Sequence, residues 1–172
     1  MIETAKKYYG KYRGIVLNNI DPEFRGRIQV TIADVTQFSP SNWAEACVPI
    51  AGGATPMGIF AVPPLEANVW IEFEQGDLRH PIWTGCMWGS QASVPALAQA
   101  GIPGDPNIVL QTMNQNTIVL SDVPTEGIIL QTLSGAMIMV NDVGILISNG
   151  QGASITMVGN MITMNEGALT IM

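Results

Sequence analysis

Four groups of residues in this chain could do chemistry. His80 is the single histidine. A Ser–His–Asp hydrolase would need it as general base, yet no Gly-x-Ser-x-Gly elbow presents a serine. Glu72, Glu74 and Asp77 lie close enough in sequence to form a carboxylate cluster. In an alternating strand Glu72 and Glu74 instead share the solvated or partner-facing side. Cys47 and Cys86 belong to no Cys/His set with zinc spacing. Asp105, Asp122 and Asp142 could ligate Ca²⁺, but the GGxGxD signature of calcium-binding β-rolls is missing and turn chemistry accounts for them. We therefore expect no catalytic residue, no metal, no cofactor and no enzymatic activity.

The elements around these residues fall into two unlike halves. From Ile108 onward the chain is a repeat. Ile108, Ile118, Ile128, Ile138, Ile145, Ile155, Ile162 and Leu169 each stand two places before a second apolar residue. Those partners are Leu110, Leu120, Leu130, Val140, Ile147, Met157, Met164 and Ile171. Apolar residues two apart face the same side of a strand, and the Gly, Asn, Asp and Ser between them suit tight corners. Each unit reads as a short strand and a turn, as in stacked β-structure. One chain with two inward residues per strand is too thin to close a core. Three chains, each supplying one wall of a prism, can close one. This predicts an intertwined homotrimeric β-prism with the sixteen positions inward and partners' strands set between successive strands of one chain. Seven of the ten Met lie in this half, where flexible side chains can fill an irregular interior.

Charge separates the halves too. Charged residues are 12% of the chain and apolar ones 47%, which points to apolar surface hidden between subunits. All the Lys and Arg lie at or before Arg79, and the repeat carries only acids. That disfavours nucleic-acid binding by the repeat. The polar N-terminal stretch shows no signal peptide, and no apolar run is long enough to span a membrane. Synthesis in the bacterial cytoplasm is expected, with both thiols free and buried.

The first half reads as strands. Residues 1–10 suggest an arm or short helix. Between 11 and 90, GRIQVTI sets Arg27, Gln29 and Thr31 opposite Ile28, Val30 and Ile32. ANVWIEFEQGD sets Val69, Ile71 and Phe73 opposite Trp70, Glu72 and Glu74. About five strands without a convincing helix suggest a small closed barrel. An Ala-, Pro- and Gly-rich linker, 91–107, leads to the shaft, 108–172.

Two blocks carry a resemblance. One is Asp21, Pro22, Gly26, Arg27, Ile28 and Val30. The other is Val69, Ile71, Phe73, Glu74, Gly76 and Asp77, then Pro81, Trp83 and Gly85. In order and spacing they resemble the oligonucleotide/oligosaccharide-binding (OB) barrel of phage baseplate assembly protein V, which also heads the spikes of T-even phages and type VI secretion systems. The resemblance implies an all-β protein with a five-stranded OB barrel and a trimeric β-helical spike. It implies a structural role in a contractile injection machine (phage baseplate, tailocin or related system) that pierces a target cell envelope. It further implies a separate hub protein at the barrel and a PAAR-type tip protein on Ile171 and Met172. The lysozyme domain and the histidine-held iron tip of some relatives are not expected. The alternative is an OB-fold nucleic-acid or carbohydrate binder with an oligomerising β-tail, but the barrel half carries more acids than bases, so stable nucleic-acid binding is not expected. A polysaccharide-cleaving β-helix would need carboxylates and aromatic platforms that the shaft lacks.

Overall fold

The computed structural model describes residues 6–37 and 39–171, with Thr170 and Ile171 as backbone only. Contacts divide the chain into two compact units, Met1–Gly89 and Ser90–Met172.

The first unit has five strands: β1 (Tyr12–Asn18), β2 (Gln29–Thr31), β3 (Glu45–Ala46), β4 (Asn68–Phe73) and β5 (Pro81–Cys86). They pair in the order β2-β1-β4-β5-β3. An antiparallel bridge between Ile28 and Ala44 then joins the two edge strands and closes the barrel. Closure removes exposed edges, which is how a small all-β unit avoids pairing with other chains. The alternation predicted from sequence sets the core. Val16, Ile28, Val30, Ile32, Ala44, Val69, Ile71, Phe73 and Trp83 are all buried together. The N-terminal residues 6–10 form no helix. Instead the Tyr8 amide donates to the Gly76 carbonyl at 3.0 Å, and the Tyr8 and Tyr12 rings pack on Phe73.

The second unit begins with the linker, which makes two 3-10 turns, Gln91–Ser93 and Ala96–Gln99. Asn107 is buried and its side-chain amide donates to the Leu97 carbonyl at 2.9 Å, tying the linker to the head of the sheet. Eight strands follow: β6 (Ile108–Gln111), β7 (Thr117–Leu120), β8 (Ile128–Gln131), β9 (Met137–Val140), β10 (Ile145–Ser148), β11 (Ser154–Val158), β12 (Met161–Met164) and β13 (Leu169–Ile171). Every predicted unit is a strand. Their arrangement corrects one expectation. Each strand pairs antiparallel with the next in sequence, giving one eight-stranded meander. No partner strand is set between successive strands of the chain. The connections explain this. Two to seven residues suffice for a hairpin but not for a crossing to another wall and back.

Side-chain oxygens hold these turns. Asn141 Oδ1 accepts from the amides of Val143 and Gly144, and Asn149 Oδ1 from those of Gln151 and Ala153. Turns on the same lateral edge also touch. The Asp142 amide donates to the Pro124 carbonyl at 3.2 Å, and Asn141 Nδ2 to the Thr125 carbonyl at 2.7 Å.

The barrel core yields a direct test. Ile71 is fully buried beneath the Gly14 backbone. Ile71→Ala should cost the barrel about 2–5 kcal/mol through the cavity it leaves. All four tryptophans precede Gly89, so urea unfolding followed by tryptophan fluorescence reads this unit. An unchanged midpoint would contradict the packing.

Candidate interaction surfaces

The motif residues of the barrel converge on one carboxylate. Asp21 follows β1 and is buried. It accepts from the backbone amides of Glu23, Arg25 and Arg27, at 3.0, 2.8 and 3.2 Å. It also accepts from Nε and Nη2 of Arg27 at 3.0 and 2.7 Å. The Arg27 guanidinium is buried as well, 5.7 Å from the centre of the Trp43 ring. Sequence alternation sets Arg27 opposite Ile28, Val30 and Ile32, and it is absent from the apolar core cluster. It is buried all the same, because Asp21 supplies a fixed counter-charge six residues earlier. The Asp-Pro-x-x-x-Gly-Arg spacing was the available signal. Pro22 and Gly26 shape the loop, Gly26 at φ 78 with the Phe60 ring where a Cβ would stand 3.3 Å away.

The second motif block meets the first. Trp83 Nε1 donates to the Gly26 carbonyl at 3.0 Å across the barrel wall. Pro81 is buried at the start of β5, and Gly85 adopts φ 148 beside the β4–β5 irregularity. Phe73 lies under the tyrosines, and Gly76, at φ 74, lies under Tyr9. The turn is closed by Asp77, which accepts from the Arg79 amide, Nε and Nη2. The Glu74 amide donates to the His80 carbonyl at 2.9 Å. These residues hold the loops in place.

The remaining chemical candidates do not converge. Glu72 pairs with Lys11 at 3.0 Å, Asp77 with Arg79, and Glu74 and His80 are exposed. Asp105, Asp122 and Asp142 occupy separate exposed positions outside the strands. Among the described residues no three His, Cys, Asp or Glu side chains gather as a metal site. Cys47 and Cys86 are free, but both are exposed rather than buried, because each stands where its strand leaves the barrel.

An extended exposed apolar surface is on the sheet. Cross-strand register assembles the sixteen apolar positions into two unbroken rows. One runs Ile108, Leu120, Ile128, Val140, Ile145, Met157, Ile162, Ile171. The other runs Leu110, Ile118, Leu130, Ile138, Ile147, Ile155, Met164, Leu169. Direct cross-strand neighbours sit close enough for their side chains to pack. Of the fifteen whose side chains are described, ten are exposed, Leu110 at 66%. The opposite face has a single central row, Val109, Val119, Ile129, Met139, Leu146, Thr156 and Thr163, and there Val119 and Ile129 are buried at 1% and 8%. Sequence reasoning had passed over this row, though its apolar start was legible at the middle position of each unit. A single copy thus covers the head of one face and leaves the sixteen-residue face open. Of the predicted tip contact, Met172 lies outside the described residues, and Ile171 is described only through its pairing with Ile162.

Residues 12–88 match the family described as the type VI secretion system/phage-baseplate injector OB domain. Residues 107–170 match the phage baseplate V C-terminal trimerisation domain. The chain belongs to the phage baseplate V family. No protein with a curated description matches it. The two matched regions coincide with the barrel and the meander, and the open apolar face lies in the region matched to the trimerisation domain. Among the described residues no helix is long and apolar enough to cross a membrane.

The buried carboxylate sets a pH signature. The Arg27 guanidinium, helped by three amides, holds the Asp21 carboxyl well below the usual carboxylate range against the opposing effect of burial. A carboxyl depressed in the folded state adds stability above its unfolded value, near 4, and that stability is lost as pH falls toward the folded value. Asp21→Ala should lower the barrel's melting temperature at pH 7 by on the order of 10 °C. Its stability should also fall less steeply below about pH 4 than that of the parent. Thermal melts from pH 2 to 7 check both.

Proposed function

We propose that this chain is the structural central spike of a contractile injection machine. Three copies associate through their meanders, each supplying one wall of a prism, with the two apolar rows toward the axis. The observation that carries this is the pair of eight-residue rows. No charge interrupts them, and a single copy leaves them open, in the segment matched to a trimerisation domain. Eight strands at about 4.8 Å give a shaft of about 40 Å. Only acids occur in the shaft, which by formal count places about −12 on a trimer's surface and keeps an apolar rod soluble.

The barrel docks the spike under a separate hub protein. Every basic and aromatic residue of the chain lies in the first unit, and aromatics and Arg are enriched at interfaces. Among the described residues no strand pairs with the outer edge of β13, and that edge offers backbone groups to a PAAR-type tip protein. On this reading the protein is assembled in the baseplate of a phage virion or related particle. It acts mechanically on the target envelope and is not an enzyme.

Two measurements test the proposal. Ile128→Asp would bury three carboxylates around one axis at several kcal/mol each. It should convert the trimer to monomers in sedimentation velocity, and a trimer of unchanged melting temperature would reject the inward assignment. In a reconstruction of the intact particle, three copies should lie on the tail axis below the tube. Density for this chain elsewhere would reject the spike reading.

A further inference from the structure

The meander has two lateral edges, and neither is polar throughout. The turns 112–116 and 132–136 lie on one edge, and the turns 121–127 and 141–144 on the other. On the first edge Met113 and Leu133 are exposed at 83% and 67%. On the second, Val143 is exposed at 59%, beside the seam where the Asp142 amide reaches the Pro124 carbonyl. Val123 is half-buried in the same turn as Pro124. Large apolar side chains at turn tips are costly to leave in water, and these flank the sixteen-residue face directly.

We infer, on the three-walled arrangement proposed above, that these edges form the corners of the prism, and that Leu133 of one copy seats on the Val123–Val143 seam of the next. The occupant is a second copy because the edges are continuous with the face in the matched trimerisation region. Cyclic symmetry fixes which edges meet. A three-fold contact is head-to-tail, so the Leu133 edge of each copy faces the Val143 edge of its neighbour. Closed cyclic symmetry also has no rise along its axis, so strands keep their level from copy to copy. The turn at 132–136 follows the third strand of the sheet. The turns at 121–127 and 141–144 follow the second and fourth. Leu133 is therefore level with the seam between them. Met113, after the first strand, stands three strand spacings, about 14 Å, from the level of Val143.

Within one copy Leu133 and Val143 lie beyond opposite ends of β9, whose four residues span about 13 Å. A disulfide between cysteines at these positions must therefore join two copies. The test uses the full chain with Cys47→Ser and Cys86→Ser, since both native thiols are exposed. Leu133→Cys with Val143→Cys, mildly oxidised, should run as a covalent trimer on a non-reducing denaturing gel. Each single variant, and the pair Met113→Cys with Val143→Cys, should run as monomer. A sedimenting trimer that stays uncrosslinked, or that crosslinks equally through Met113, overturns the corner assignment and leaves the prism standing. A parent that sediments as a monomer overturns the prism reading itself. Leu133→Asp adds a readout independent of disulfide chemistry. It should raise the trimer's dissociation constant by about tenfold or more, because a charge would enter an apolar corner. An unchanged constant overturns the assignment.

Discussion

A sheet of four-residue strands has too few positions to hide its own apolar surface. Two side chains of each strand point to either face. In this chain the first face carries two apolar rows and the second one central row, along one margin of which run Gln111, Thr117, Gln131, Met137 and Ser148. The single row is covered at its head, where Val119 and Ile129 are buried. The double row finds no cover in its own chain, because the connections are too short to fold back over it. In the proposed trimer it is buried between copies, and that would account for a composition so rich in apolar and so poor in charged residues.

The barrel solves a different problem. It is small, so its loops need support that the core cannot give. Asp21 gathers three amides and a guanidinium, Trp83 reaches across to the Gly26 carbonyl, and Asp77 closes the opposite turn with Arg79. A carboxylate so well satisfied holds its loop in one conformation, and a buried charge pair tolerates few alternative packings. The motif residues of the family are thus spent on shape. Several other ions of this unit also pair with one another: Arg25 with Glu23 and Glu45, Lys11 with Glu72.

Much of this was legible in the residues alone. Periodicity of two, with Gly and Asn at the joints, located all eight shaft strands and the rows they build, because side-chain direction in a strand depends only on position along it. The same alternation found the cores of β2 and β4, and the spacing of the Asp21–Arg27 and Phe73–Gly85 blocks pointed to the barrel family. What the alternation could not supply was partner identity. Which strand lies beside which is a choice between arrangements that satisfy the same periodicity, and here hairpin-length turns selected a continuous meander over interleaved chains. The burial of Arg27 escaped alternation for a related reason: alternation assigns a face, but a counter-charge six residues away decides whether a guanidinium stays in water. The exposure of Cys47 and Cys86 likewise follows from where the barrel strands end, which only the closed sheet defines. Local spacing was enough for the strands, for the residues that share a face and for the division of charge. The tertiary structure decided pairing order, the buried ion pair and the surfaces left open, since these depend on contacts between residues far apart in the chain.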